Sequence, residues 1–101
     1  MHVGYGVAFQ NPDNALSDAE VYHHEVRMAE MAEPLGFDSV WSVEHHFDDC
    51  TMCPDVLQFL TYVGGRTRHA KRGSMVVVLP GMTRFVSRSR SRCSTISPMA
   101  A

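Results

Sequence analysis

Short runs of β-branched and aromatic residues alternate along the chain with longer amphipathic stretches. The first run, His2 to Phe9, precedes the turn-forming sequence Asn-Pro-Asp-Asn, and it predicts a strand that ends near Phe9. The second, Phe37 to Val43, is too short for a helix and predicts another strand. The third, Ser74 to Leu79, holds three consecutive valines and is closed by Pro80, which is typical of a strand buried on both faces.

Two helices are predicted between these strands. Ser17 and Glu20 form the S-x-x-E pattern of a capping box, in which side chains bond the free backbone N–H groups of a helix start. Gly36 stands where a left-handed cap would end this helix, near Leu35. Pro54 favours the first position of the second helix, which should end at Gly64-Gly65 or Thr67. The apolar positions expected to be buried are Val21, Met28, Ala32 and Leu35 in the first helix and Val56, Leu57, Phe59, Leu60 and Val63 in the second.

The predicted order β-α-β-α-β indicates an α/β fold with a parallel sheet and right-handed crossovers. Two architectures remain open at this point, a doubly wound sheet and a (β/α)8 TIM barrel. A barrel of this kind takes about 250 residues. Since the chain has 101 residues, it can supply only the first part of such a barrel.

Composition narrows the class of protein further. No stretch of the sequence has the length of a membrane span or the pattern of a signal peptide, so we expect a cytoplasmic protein with no membrane partner. Three cysteines in such a chain indicate reduced thiols rather than a disulfide framework. The formal net charge of −2 is unevenly distributed, because every Asp and Glu lies at or before Asp55 and every Lys and Arg except Arg27 lies at or after Arg66.

Residues 81–101 break the pattern of the rest. Arginine and serine alternate there with little apolar content, which predicts a disordered, basic, low-complexity tail. One interpretation is an arm that binds RNA phosphates, which would make the chain a small nucleic-acid-binding module. The more economical one is a one-nucleotide frameshift at about Gly81, because a back-translation with freely chosen codons, read one base later, can encode a proline-containing loop followed by a helix. Nucleic acid is then not an expected partner, and the folded part is residues 1–80.

The group most suggestive of chemistry is Glu44-His45-His46, directly after the second predicted strand. The carboxyl ends of strands carry the active sites of barrel enzymes. Imidazole titrates near neutral pH and can relay a proton, and a neighbouring carboxylate can orient it. From the pattern alone, the favoured interpretation of a His-His pair is two polar loop residues at a strand end. The nearby Cys50-x-x-Cys53 lacks a second ligand pair at a second spacing, so no metal site is predicted.

Several motifs in this order and spacing are similar to those of one enzyme family. The sequence L-G-F-D-S-V-W-S-V-E-H-H-F, from Leu35 to Phe47, resembles the second-strand signature of the bacterial luciferase-like monooxygenases. The resemblance covers Met1 to Pro80. Its other matching positions are Gly4, Phe9, Ala29-Glu30, Ala32-Glu33, Pro54, Gly65-Arg66-Thr67, Gly73 and Val78-Leu79-Pro80.

The resemblance implies a partial (β/α)8 barrel whose C-terminal mouth binds reduced flavin, FMN or alternatively the deazaflavin F420. The family's reaction is the oxidation of a small organic substrate with oxygen, and the parent enzyme is expected to be a dimer. The resemblance also implies a cis peptide bond between Met75 and Val76. The residues to which it assigns catalytic roles are His45, His46 and Glu44, and those that would approach the flavin are Phe9, Met75, Val76, Leu79 and Pro80.

Overall fold

The computed structural model describes residues 1–47 and 51–78. These residues form a three-stranded parallel sheet in the order β1-β2-β3, and the helices connect its strands. The predicted order β-α-β-α-β is therefore confirmed. The elements are β1 (Gly4–Val7), a short 3-10 turn (Pro12–Asn14), α1 (Asp18–Ala32), β2 (Ser39–Ser42), α2 (Val56–Arg66) and β3 (Lys71–Ser74).

The register of the strands divides the sheet into two unlike faces. Tyr5, Val40 and Arg72 pair side by side in one row, and Gly6, Trp41 and Gly73 pair in the next. Because side chains alternate along a strand, the first row points toward the helices and the second toward the opposite face. The core lies on the helix side. It is formed by Val7, Phe9, Val21, Ala29, Ala32, Val40, Cys53, Val56, Leu57, Phe59, Leu60, Val63 and Ala70.

Helix α1 begins as predicted and ends earlier than predicted. Ser17 and Glu20 form both halves of the capping box. The helix ends at Ala32, and Leu35 is exposed rather than buried, because the chain has already turned before it. Gly36 has a φ of +93°, which confirms the expected left-handed cap. The N–H of Phe37 then donates to the Ala32 carbonyl and directs the chain into β2.

Helix α2 begins two residues after Pro54, the residue predicted at its first position. Asp55 is the N-cap instead, and its carboxylate accepts the backbone N–H of Gln58 at 3.0 Å. The Asp55 side chain thus accepts a backbone N–H that would otherwise be free at the start of the helix, and proline has no side-chain acceptor for this purpose. The predicted buried face of the helix is confirmed at all five positions, Val56, Leu57, Phe59, Leu60 and Val63.

The third strand lies earlier than its valine run predicted. It spans Lys71–Ser74 rather than Ser74 to Leu79, and none of its residues is fully buried. The reason is a long-range contact, since the carboxylate of Glu33 accepts the N–H groups of residues 68, 69 and 70 and fixes where the strand can start. The valines follow the strand. The Met75–Val76 peptide bond is cis, as the resemblance implied.

The expectations about membrane spans and about the C-terminal tail can be compared with the structure only within the described residues. Within the described residues, no helix is long and apolar enough to cross a lipid bilayer. Leu79, Pro80 and the tail of residues 81–101 lie outside the described residues, as does the proposed boundary at Gly81.

Candidate active site at the carboxyl ends of the strands

The carboxyl ends of the three parallel strands meet at one edge of the sheet. The chain that leaves β1 there contains Phe9, the chain that leaves β2 contains Glu44 to Phe47, and the chain that leaves β3 contains Met75 to Val78. We call this edge the mouth. In parallel α/β folds it is the edge that carries ligands.

Glu44 is the most completely buried charged side chain at the mouth, with 3% of the residue exposed. Its Oε1 lies 3.2 Å from Nε2 of His46 and accepts the backbone N–H of Val78 at 3.1 Å. It therefore joins the end of β2 to the segment that follows β3. Oε2 is also buried and has no hydrogen-bond partner among the described residues. A buried carboxylate oxygen without a partner is costly.

The two histidines differ in how they are held. Both are exposed. Glu44 holds the ring of His46, and since a carboxylate accepts only, Nε2 carries the proton when the two share a hydrogen bond, which leaves Nδ1 as an acceptor in the neutral ring. His45 is held at its backbone, whose N–H donates to the Cys53 carbonyl at 2.9 Å. The structure thus brings all three predicted catalytic residues to the mouth.

Cys53 lies below these residues, with 1% exposure. Burial, and next the charge of Glu44, raise the pKa of its thiol to about 11, against a smaller opposing effect of the Tyr22 hydroxyl. At neutral pH the group is therefore a protonated thiol, the form that neither attacks electrophiles nor binds metal well. Among residues 1–47 and 51–78, no three His, Cys, Asp or Glu side chains converge as metal ligands. Cys50 is outside that part of the chain.

The predicted cofactor-binding residues differ in their exposure to solvent. Met75 and Val76 are 47% and 61% exposed at the mouth. Phe9 is fully buried, with its ring packed between those of Tyr22 and Phe59 at centroid distances of 4.8 and 4.7 Å. A ligand in the mouth would therefore meet the backbone of Phe9 and not its ring. That backbone has a φ of +51°, and its carbonyl accepts the N–H of Met52.

Trp41 was not singled out from the sequence, yet it dominates the open face of the sheet. Its Nε1 donates to the Ser39 hydroxyl at 2.8 Å, and its ring extends over the neighbouring strands. A Cβ atom built on Gly4 or Gly73 would lie 2.8 or 2.4 Å from the indole, so both positions require glycine. In the strand register, Gly73 is the partner of Trp41, and Gly4 is the partner of Ser39, two residues before Trp41 on the same face of the sheet.

A family model described as luciferase-like monooxygenase matches residues 1–86, somewhat past Pro80 where the sequence motifs end. The chain is 33% identical over 64 residues to the uncharacterized protein y4vJ of Sinorhizobium fredii, a match that covers 63% of this chain and 18% of that protein. It is 31% identical over 74 residues to the alkanal monooxygenase alpha chain of Photorhabdus laumondii, covering 73% of this chain and 20% of that one.

The fold has a matching neighbour among solved structures. The monooxygenase RslO1 from Streptomyces bottropensis superposes with a TM-score of 0.73 at 27% identity, covering 93% of this chain and 30% of that chain. The chain thus spans about a fifth of the length of the curated relatives it matches.

Proposed function

The chain belongs to the luciferase-like monooxygenase family, and on this premise we propose that it is the cofactor-facing opening segment of a flavin-dependent monooxygenase acting on a small organic substrate. The observation that carries the proposal is the buried Glu44 carboxylate. It connects His46 to the backbone of Val78 and so assembles the residues that follow two strands into one polar site at the mouth.

The residues at the mouth fit a flavin. Its ring system is flat, with apolar faces and a polar edge, and the mouth offers the exposed apolar side chains of Met75 and Val76 beside two imidazoles. Oε2 of Glu44, which lacks a partner among the described residues, fits a bound donor or an ordered water. When bound, reduced flavin would donate electrons to oxygen and so allow oxygen to oxidise the substrate. We propose FMN, with F420 as the alternative.

In this proposal the chain's own side chains handle protons and orientation. His45 is exposed at the mouth, where its imidazole can exchange protons with a bound molecule. Glu44 fixes the orientation and tautomer of His46, so that Nδ1 points away from the carboxylate as an acceptor. One relative is named an alkanal monooxygenase, and we propose an aldehyde or a similarly small organic molecule as the substrate.

The same premise predicts that this chain alone is not an active enzyme. In barrels of this class the loops after the seventh and eighth strands commonly hold the phosphate of the ligand, and the part of the relatives that this chain matches is about a fifth of their length. We propose that the 101-residue chain binds FMN weakly and turns nothing over. The working enzyme would be a cytoplasmic dimer.

Quenching of FMN fluorescence by the purified chain tests the weak-binding part. We expect no saturation at micromolar protein, and saturable micromolar binding would refute it. The catalytic part is tested in a chimera, in which residues 1–78 replace the matching segment of the Photorhabdus alkanal monooxygenase alpha chain.

We expect the chimera to oxidise aldehyde, and its His45→Ala variant to lose at least about a hundredfold in kcat while still binding FMN. His69→Ala is the matched control, because His69 is an exposed histidine just before β3, at the amino edge of the sheet and so opposite the mouth. A chimera with His45→Ala that remains as active as the control would rule out the proposed role of this residue.

A further inference from the structure

Met52 and Cys53 form a link across the mouth, and we call these two residues the strap. The N–H of Met52 donates to the carbonyl of Phe9, at 3.3 Å, and the carbonyl of Cys53 accepts the N–H of His45, at 2.9 Å. The strap therefore connects the chain leaving β1 with the histidine segment leaving β2. Cys53 is buried in the core, which anchors one end of the strap.

Helix α1 supplies a third bond to the strap. The hydroxyl of Tyr22 donates to the Met52 carbonyl at 2.9 Å, across a sequence separation of 30 residues. The Tyr22 ring packs against the buried ring of Phe9, with 4.8 Å between centroids, so the side chain has one orientation toward the strap. Burial raises the pKa of Tyr22 further above its ordinary value of 10.0, so the hydroxyl stays protonated and able to donate.

We propose that Tyr22 is a positioning residue for His45, acting through the Met52–Cys53 strap. The inference rests on the proposed function, in which the imidazole of His45 handles protons. The ring of His45 projects from a backbone that the strap holds, so a shift of the strap should move the ring. That backbone is bonded to Cys53, and the neighbouring Met52 carbonyl is bonded to Tyr22. His46 is held differently, through Glu44.

The test is Tyr22→Phe in the full 101-residue chain, which removes the hydroxyl and keeps the ring on Phe9. Tyr62→Phe is the matched control, because Tyr62 is a half-exposed tyrosine of α2 whose ring lies beside Arg66. Amide hydrogen exchange followed by NMR should show the His45 N–H exchanging about fivefold to tenfold faster in Tyr22→Phe, as expected for one lost hydrogen bond. The control should leave it unchanged.

The exchange rates of amides in the core show whether Tyr22 positions His45 or only stabilises the whole fold. We expect the N–H groups of Val40 and Leu60 to keep their exchange rates in Tyr22→Phe. An equal acceleration at these amides and at His45, or loss of the fold, would mean that Tyr22 only stabilises the protein, and the proposal would be overturned. An unchanged His45 amide would overturn it as well.

A second measurement reads the imidazoles directly. In Tyr22→Phe, compared with the parent chain at one fixed pH, the ring resonances of His45 should shift, while those of His46 should stay in place because Glu44 still holds that ring. Shifts at both rings or at neither would contradict the proposal. Neither NMR measurement requires flavin, so a chain that fails to bind FMN can still confirm or refute the role of Tyr22.

Discussion

The indole of Trp41 lies over Gly73 of the neighbouring strand, so closely that a Cβ at residue 73 would come within 2.4 Å of the ring. The two residues are register partners in β2 and β3. The width of Trp41 is thus accommodated by the absence of a side chain beside it. This close approach couples the two strands on the face opposite the helices.

Gly73→Ala should destabilise the chain, by about 1–3 kcal/mol, because the added methyl group forces the indole or the strand to move. Gly65→Ala is the matched control. Gly65 lies exposed on α2, with no atom within 4 Å of a built Cβ, and alanine there should stabilise by up to about 1 kcal/mol. Thermal unfolding of the two variants measures both effects. Equal melting temperatures would refute the clash, as would an unchanged cost of Gly73→Ala in a Trp41→Ala background.

Glu33→Gln should destabilise the chain in a pH-dependent way. Although partial burial alone would raise the pKa of Glu33, the backbone N–H groups of His69, Ala70 and Arg68 lower it. A carboxyl whose pKa is lowered by folding adds stability above its unfolded pKa, which is lost as pH falls through the lower folded value. We expect a loss of about 1–2 kcal/mol at pH 7 and little loss at acid pH.

Chemical denaturation at pH 7 and at pH 3 measures this difference for Glu33→Gln. Glu30→Gln, in the last turn of α1, is the control, because it removes an ion pair with the half-exposed Arg66 that is worth about 0–1 kcal/mol. If the two variants lose the same stability at both pH values, the contact of Glu33 with the backbone has been overestimated.

Glu44→Gln should lower the pKa of the Cys53 thiol from its value of about 11. It removes the negative charge of Glu44, which is the second-largest cause of the raised pKa after burial. The measurement is the ¹³Cβ shift of labelled cysteine against pH, in a Cys50→Ser and Cys93→Ser background. In the parent chain the folded state favours the neutral thiol, so stability should fall as pH rises above about 9, the ordinary value. A Cys53 midpoint near 9 in the parent chain would contradict the structure.

Features carried by neighbouring residues could be predicted from the sequence. The capping box of Ser17 and Glu20 and the left-handed cap at Gly36 depend on local geometry that the residue types themselves prefer. The histidine group was placed correctly at a strand end, since short strands between helices leave few alternatives. The same reasoning predicted the order of all the described elements.

Features decided by long-range contacts could not be predicted. The valines after Ser74 favour a strand by hydrophobicity, but the strand starts at Lys71. The reason is that the carboxylate of Glu33, just after α1, accepts the N–H groups of the three residues before Lys71. An apolar residue such as Phe9 suits both the core and an apolar ligand site, so the sequence does not show which of the two its ring occupies. In the structure the ring is in the core. Glu44 is charged, and its burial depends on a backbone donor 34 residues away.

On either side of β3, a carboxylate accepts backbone N–H donors from a segment distant in sequence. Glu33 does so at the amino edge, before β3, and Glu44 does so at the carboxyl edge, after β3. Strand β3 is thereby held at both ends by acids from elements that precede it. A change of sequence at Glu33 should alter how firmly the strand is seated, whereas a change at Glu44 should alter what the mouth binds. Because Glu44 also bonds the segment after β3, its substitution should affect both properties, whereas substitution of Glu33 should affect only the seating of the strand.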